Sequence, residues 1–180
     1  MPRPPASFAT ARLTARMPRA DDGPAIFAAF GSDPEVTRYL PWRAYDRVDP
    51  LNLFLRERIA DWEKGTGNFA WLLCLRGTDT PIGSIGLGLE PGGKVILGYV
   101  LAKKFWGHGF TTEALRYLVD WALAQPTIYR AWAFCDVENT ASARVMEKAG
   151  LVREGLLRRW HIAPTIGPEP RDCLAYAKVK

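Results

Sequence analysis

Apolar positions along the chain keep two rhythms, and each rhythm predicts its own element. Leu51, Phe54, Leu55 and Ile59 return every three or four residues, so a helix is expected over Asp49–Lys64. Asp49 and Pro50 open it, and Gly65 and Gly67 stop it. Ala114, Leu115, Leu118, Val119 and Ala122 draw a second stripe, over residues 111–124, closed by Pro126. Residues 140–149 form a third helix behind Asn139 as a cap, with Gly150 at the position where helices turn left-handed and end. Two shorter helices are expected earlier. Residues 20–32 carry Asp21 or Asp22 as a cap and Gly31 as a stop. Residues 32–40 offer Asp33 as a cap and Pro34 at the first helical position.

The other rhythm has a period of two or runs without a break, and reads as strands. Residues 12–17 alternate. Residues 69–75 are a short apolar run between turn signals. Residues 82–89 set Ile85, Leu87 and Leu89 on one face and Ser84, Gly86 and Gly88 on the other. A strand face without side chains admits a helix or a ligand at close range. Residues 94–101 complete an antiparallel meander with the previous two. Residues 129–136, 151–162 and 173–179 are further strands. The order of elements is that of a mixed α/β (α+β) domain around one central sheet.

A chain of 180 residues fits one domain with a sizeable core. The expectation is a flexible lead-in over residues 1–11, rich in proline, and a single domain over residues 12–180. With 48% hydrophobic and 24% charged residues the composition is that of a soluble globular protein. No apolar run is long enough to span a membrane, so no membrane partner is expected. The first residues lack the apolar core of a secretory signal, and a cytoplasmic location is the default expectation. Lys and Arg number 24 against 19 Asp and Glu, a net +5 that favours an anionic partner such as a nucleotide. The charges are scattered with no basic run, which argues against nucleic acid. Cys74, Cys135 and Cys173 stand apart without a C-x-x-C pair, so they read as inert buried thiols and no metal site is indicated.

One stretch carries chemistry. Residues 105–118 read FWGHGFTTEALRYL, a glycine-containing loop that runs into the second predicted helix. The first amides of a helix have no internal partner and sit at the positive end of its dipole, which suits a phosphate. Gly107 and Gly109 remove the Cβ atoms that would hold an anion away. Thr111 and Thr112 add hydroxyls, and Lys103, Lys104 and His108 add actual or potential positive charge. Taken alone, the stretch is open between a phosphate cradle and a plain turn, because it matches neither common phosphate-loop fingerprint.

A second motif decides the matter. NTASARVMEKAGL at residues 139–151, together with GYVLAKKFWGHGFTTEAL at residues 98–115, resembles the GNAT superfamily of acyl-CoA-dependent N-acetyltransferases. More narrowly it resembles the branch of ribosomal-protein N-terminal (alanine/serine) acetyltransferases, which reads W-G-x-G-[YF]-x-T-E-A and later N-x-x-S-x-x-[VL]-[ML]-E-K-x-G. The resemblance implies a GNAT-like acyl-CoA N-acyltransferase fold: a central, mostly antiparallel sheet splayed between its fourth and fifth strands and flanked by helices. It implies acetyl-CoA in that splay, with the pyrophosphate on the amides of residues 107–112. The cofactor contacts it implies are Tyr99, Val100 and Leu101 on the strand, Trp106, Gly107, His108, Gly109, Phe110, Thr111 and Thr112 on the loop and helix, and Asn139, Ser142 and Met146 on the later helix. Ser142 is the residue it implies for protonating or hydrogen-bonding the leaving thiolate, and Tyr39 and Trp42 the residues bordering the acceptor.

The chain departs from the family in places. Trp106 and Thr111 stand at the ends of the usual [QR]-x-x-G-x-[GA] pattern. Ile96 stands where many relatives place a glutamate, and Met146 where many place a tyrosine acid. The base is therefore open among Asp136, Glu138, His161, Asp172 and Glu35, or water alone. The expected activity is acetyl transfer to a primary amine, either a protein N-terminal α-amine or a small molecule. A non-catalytic CoA-binding module and an enzyme using another acyl-CoA such as succinyl-CoA are the alternatives. By resemblance alone, a homodimer is a further option.

Overall fold

The computed structural model describes residues 2–65 and 67–180. Among the described residues eight strands form one sheet in the order β1-β2-β3-β4-β5-β6-β8-β7. They are β1 (Ser7–Ala9), β2 (Leu13–Arg16), β3 (Asn68–Leu75), β4 (Pro81–Glu90), β5 (Lys94–Leu101), β6 (Arg130–Asp136), β7 (Val152–Ile162) and β8 (Pro170–Val179). The first five run antiparallel as a meander, with Gly86 opposite Gly98 between β4 and β5. The helices are α1 (Gly23–Ile26), α2 (Asp49–Lys64), α3 (Phe110–Ala124) and α4 (Thr140–Lys148). Among the described residues none is long and apolar enough to cross a membrane.

The α3 helix links β5 to β6, the crossover that a parallel pair needs. That pair is short: Lys94, Val95 and Ile96 lie beside Arg130, Ala131 and Trp132, and the ladder stops there. β6 instead pairs antiparallel with β8 along its whole length, from Arg130 to Asp136. β5 and β6 therefore share one end of the sheet and diverge towards the other.

Two cores sit on the two faces. On one, the α3 stripe of Ala114, Leu115, Leu118, Val119 and Ala122 is buried against Trp71, Ile85, Leu87 and Val95. Each fully buried leucine there contributes on the order of 1.5–3 kcal/mol. On the other, Ile26, Phe30, Leu51 and Leu55 pack with Leu72 and Ala102. Trp62 at the end of α2 packs its ring edge to face with Phe69 and Trp71 and donates from Nε1 to the Ala70 carbonyl at 2.9 Å, tying α2 to β3.

Three expectations are corrected. Residues 7–9, expected in a flexible lead-in, pair as β1 with Phe8 buried. The Pro5 carbonyl accepts from Trp71 Nε1 at 2.9 Å, and Arg3 donates to the Trp62 carbonyl. The chain ahead of β2 is held because it satisfies buried tryptophan groups. The helix expected over residues 32–40 is a series of turns. Asp33 does accept from the Glu35 amide at 2.8 Å, but Pro41 follows within a few residues and the turns do not join into a helix. The first helix ends as a π-helical turn over Phe27–Gly31, and Asp22 spends its carboxylate on Arg16 and the Arg19 amide rather than as a cap.

Candidate functional site

Where β5 and β6 part, a cavity of about 970 Å³ opens and runs from the start of α3 to the face beneath α2. Its edge on β5 has free backbone. The Ala102 amide donates across to Ile82 of β4, so by strand alternation the amide and carbonyl groups of Tyr99 and Leu101 face away from β4, into the gap. The Leu101 carbonyl is taken by Trp106 Nε1 at 2.7 Å. That bond holds the Trp106 ring against the strand end and aims the following loop.

The loop turns on two glycines. Gly107 has φ 80° and Gly109 φ 76°, left-handed values that a side chain would strain. A Cβ at Gly107 would meet nothing within 4 Å. No side chain caps α3, which leaves the amides of its first turn without partners among the described residues. Arg12 braces the arrangement from outside: it pairs with Glu113 at 2.8 Å, donates to the His108 carbonyl at 2.9 Å and stacks its guanidinium on the Phe110 ring. Burial alone would raise the Glu113 carboxyl, but its bonds from Thr10 and Arg12 outweigh it and hold the acid ionised. Its charge is thus directed to Arg12 and not to the loop amides.

The opposite wall is the end of β6 and the start of α4. Asn139 caps α4 by accepting from the Ser142 amide at 3.1 Å. The Ser142 hydroxyl lies 2.8 Å from the Tyr99 hydroxyl, a bond that crosses the gap between the two half-sheets. Burial pushes the Tyr99 phenol well above its usual range, against a smaller opposing effect of the Ser142 bond, so it stays protonated as a donor. Cys135 lies beside Ser142 with its thiol pushed up to about 11, chiefly by burial, and is inert at neutral pH.

Of the residues expected in the site, Tyr99, Val100, Leu101, Trp106, Gly107, Gly109, Phe110, Thr111 and Thr112 line the cavity from the β5 side. Asn139 and Ser142 line it from α4, and Tyr39 and Trp42 from the turns before α2. His108 and Met146 do not. The exposed His108 ring stacks on Phe110 and bonds the Trp106 carbonyl through Nδ1 at 2.8 Å. Met146 is wholly buried in the first core, because its place on α4 faces the sheet.

The candidate bases separate by their partners. Glu35 is paired with Lys103 at 2.6 Å. Asp136 accepts two bonds from Arg171, and Glu138 pairs with the same guanidinium at 3.0 Å. Asp172 accepts from the Arg159 amide and does not line the cavity. His161 lines the cavity edge-on to Phe134, and its ring makes no hydrogen bond among the described residues. Sequence reasoning missed Arg58, Arg144 and Lys148, which also line the cavity. Charged residues at ordinary helical spacing gave no signal of it.

Residues 12–152 match a family model described as the Acetyltransferase (GNAT) domain. The chain is 30% identical over 157 residues to p20, an uncharacterized N-acetyltransferase of Bacillus licheniformis, covering 86% of each chain. Among solved structures it superposes on the microcin C7 self-immunity acetyltransferase MccE, in complex with acetyl-CoA and AMP, with a TM-score of 0.86. The identity there is 17%, with 99% of this chain and 98% of that one covered. It superposes on RimL, a ribosomal L7/L12 alpha-N-protein acetyltransferase in complex with coenzyme A, with a TM-score of 0.82 at 20% identity, covering 97% and 96%. At such identities the two structures speak for the fold.

Proposed function

The chain belongs to the GNAT acetyltransferase family, and on that premise we propose that it is an acetyl-CoA-dependent N-acetyltransferase. Its acceptor is a primary amine that attacks the thioester directly. The observation that carries this is the parting of β5 from β6 beyond Ile96, with an uncapped helix start at one end and the Tyr99–Ser142 pair across the middle.

The residues present suit the group. A pyrophosphate needs amides and room. The first turn of α3 offers the unpartnered amides, and Gly107 and Gly109 remove bulk beside them. Exposed Arg144 and Lys148 rim the same cavity with positive charge for the remaining phosphate. Acetyl-CoA, when bound, supplies the acetyl thioester as electrophile and a thiolate as leaving group.

The chain's own residues then have three tasks. An ammonium has no lone pair, so the acceptor must lose a proton, and the unpaired His161 ring takes it. The Tyr99 amide, facing the gap, donates to a carbonyl oxygen as it gains charge. The Ser142 hydroxyl donates a hydrogen bond to the leaving sulfur and stabilises its charge, and the Tyr99 hydroxyl, 2.8 Å from Ser142 Oγ and kept protonated by burial, holds it in place; the proton shed by the acceptor balances the one the thiolate finally takes.

Free-thiol release from acetyl-CoA across a panel of amines tests the reading. Ser142→Ala is expected to lower kcat by about 100-fold with acetyl-CoA affinity retained. Gly109→Trp is expected to abolish acetyl-CoA binding. Amine-dependent release that is equal in both variants and the native chain would overturn the assignment. Binding without turnover for any amine would point to the module reading, which the absence of an acid at the buried Met146 favours.

A further inference from the structure

The cavity has a second arm that the cofactor reading does not use. On the sheet face turned towards α1 and α2, Ala70 of β3, Gly86 of β4 and Gly98 of β5 stand in cross-strand register. They make a trough one residue wide that runs across the strands to the free edge of β5. Leu72 and Val100 border it on one side, and Asn68 and Ile96 on the other; all line the cavity. Gly98 is exposed although it lies in the middle of a central strand. A Cβ added there would meet nothing within 4 Å, and its backbone is not left-handed. The conformation does not require glycine, so what the missing side chain provides is space.

The other walls are apolar. On α2, Leu51, Phe54, Leu55 and Arg58 share one helical face and line the cavity, and Phe54 remains 44% exposed. Trp42 and Tyr45 stack at 5.1 Å beside them. This arm offers no free carboxylate among the described residues: Glu35 is taken by Lys103, and Asp61 by Arg58 at 3.1 Å. A second, independent observation points to a ligand. Among the described residues Arg58 Nε is buried without a hydrogen-bond partner, and its guanidinium packs over the Phe54 ring in the cavity wall. A donor left orphaned just behind a cavity wall gains a partner from a ligand oxygen where the half-exposed Phe54 ring over it moves aside.

We propose that this trough is the acceptor arm and that it selects a monoamine with an apolar or aromatic body and one carbonyl or carboxylate oxygen for Arg58. Amines of the type of a hydrophobic amino acid or its amide fit. Polyamines and aminosugars, which need several carboxylates, do not. The inference rests on the acetyltransferase reading and deepens it. Gly98 sets the size limit, because any side chain there stands in the trough.

The test measures thiol release with phenylalanine amide, glycine amide, spermidine and an aminoglycoside, in the native chain and in Gly98→Ala and Gly98→Val. Isothermal titration with acetyl-CoA controls for folding and for the cofactor arm. In the native chain kcat/KM for phenylalanine amide is expected to exceed that for spermidine and the aminoglycoside by about tenfold or more. It falls stepwise through Gly98→Ala to Gly98→Val, by about 10-fold to 100-fold at the second step, with a smaller loss for glycine amide and acetyl-CoA affinity kept. The native preference stands as evidence even where Gly98→Val folds poorly. Preference for spermidine or the aminoglycoside overturns the inference and leaves the acetyltransferase reading intact. So does a Gly98→Val protein that acetylates phenylalanine amide at the native rate, or one that loses acetyl-CoA binding while folded. Acetyl-CoA binding with no thiol release for any amine overturns both together.

Discussion

Asp136 sits at the end of β6 with 3% of its surface exposed, and its charge is held by Arg171 and the Glu138 amide. Burial by itself raises a carboxyl's pKa, but these partners win and the folded value lies below the ordinary one. The ionised form thus contributes stability that is present above the unfolded value, about pH 4, and lost as pH falls through the folded value. Asp136→Asn is expected to lower Tm at neutral pH, and thermal melts of the two proteins should converge in acid. A gap that stays constant from neutral pH downward would sink this account. Single residues were also the scale at which sequence was most informative about the site. The motif pointed to Tyr99, Gly107 and Ser142, which the fold brings round one gap. It misled at Met146, because the pattern marks a position on α4 but not the depth to which that face is buried. It said nothing of Arg58, whose role depends on which face of α2 meets the trough.

At the scale of elements, α2 is both a wall of the acceptor arm and a strut on β3. Trp62 makes the join, fully buried between Phe69 and Trp71 with its indole bonded to Ala70. Trp62→Ala is expected to cost about 3–5 kcal/mol in chemical unfolding, since it removes a large core ring and orphans the Ala70 carbonyl. A loss under about 1 kcal/mol would show that α2 is held elsewhere. The long elements were legible because their apolar spacing alone fixes the type, as in α3 and the glycine-faced β4. The short ones were not. β1 has three residues, too few for a period, and exists because Phe8 has a hole to fill and Trp71 a proton to donate. The turns at residues 33–39 obey a valid local cap at Asp33 that tertiary packing does not extend. The parting of β5 and β6 left no mark in the periodicity of either strand, since it depends on where β8 draws β6 away.

For the whole molecule, the sheet is two blocks: a meander of β1 to β5 and the triplet β6-β8-β7, joined by backbone over Lys94–Ile96 and Arg130–Trp132. A ligand that binds both sides of the gap binds only the folded chain. Acetyl-CoA is therefore expected to raise Tm steadily with the logarithm of its concentration, with about 2.7 kcal/mol of stabilisation at 100 times its Kd. Differential scanning fluorimetry should show this in the native chain and not in Gly109→Trp; an equal rise in both would place the ligand elsewhere. Eight paired strands would ordinarily behave as one stiff plate. Here backbone pairing does not carry strain from the meander to the triplet beyond Ile96, and there it passes through α3 and the Tyr99–Ser142 bridge. The molecule has a seam, and whatever lodges in that seam becomes the missing rung that lets the two plates bear load as one.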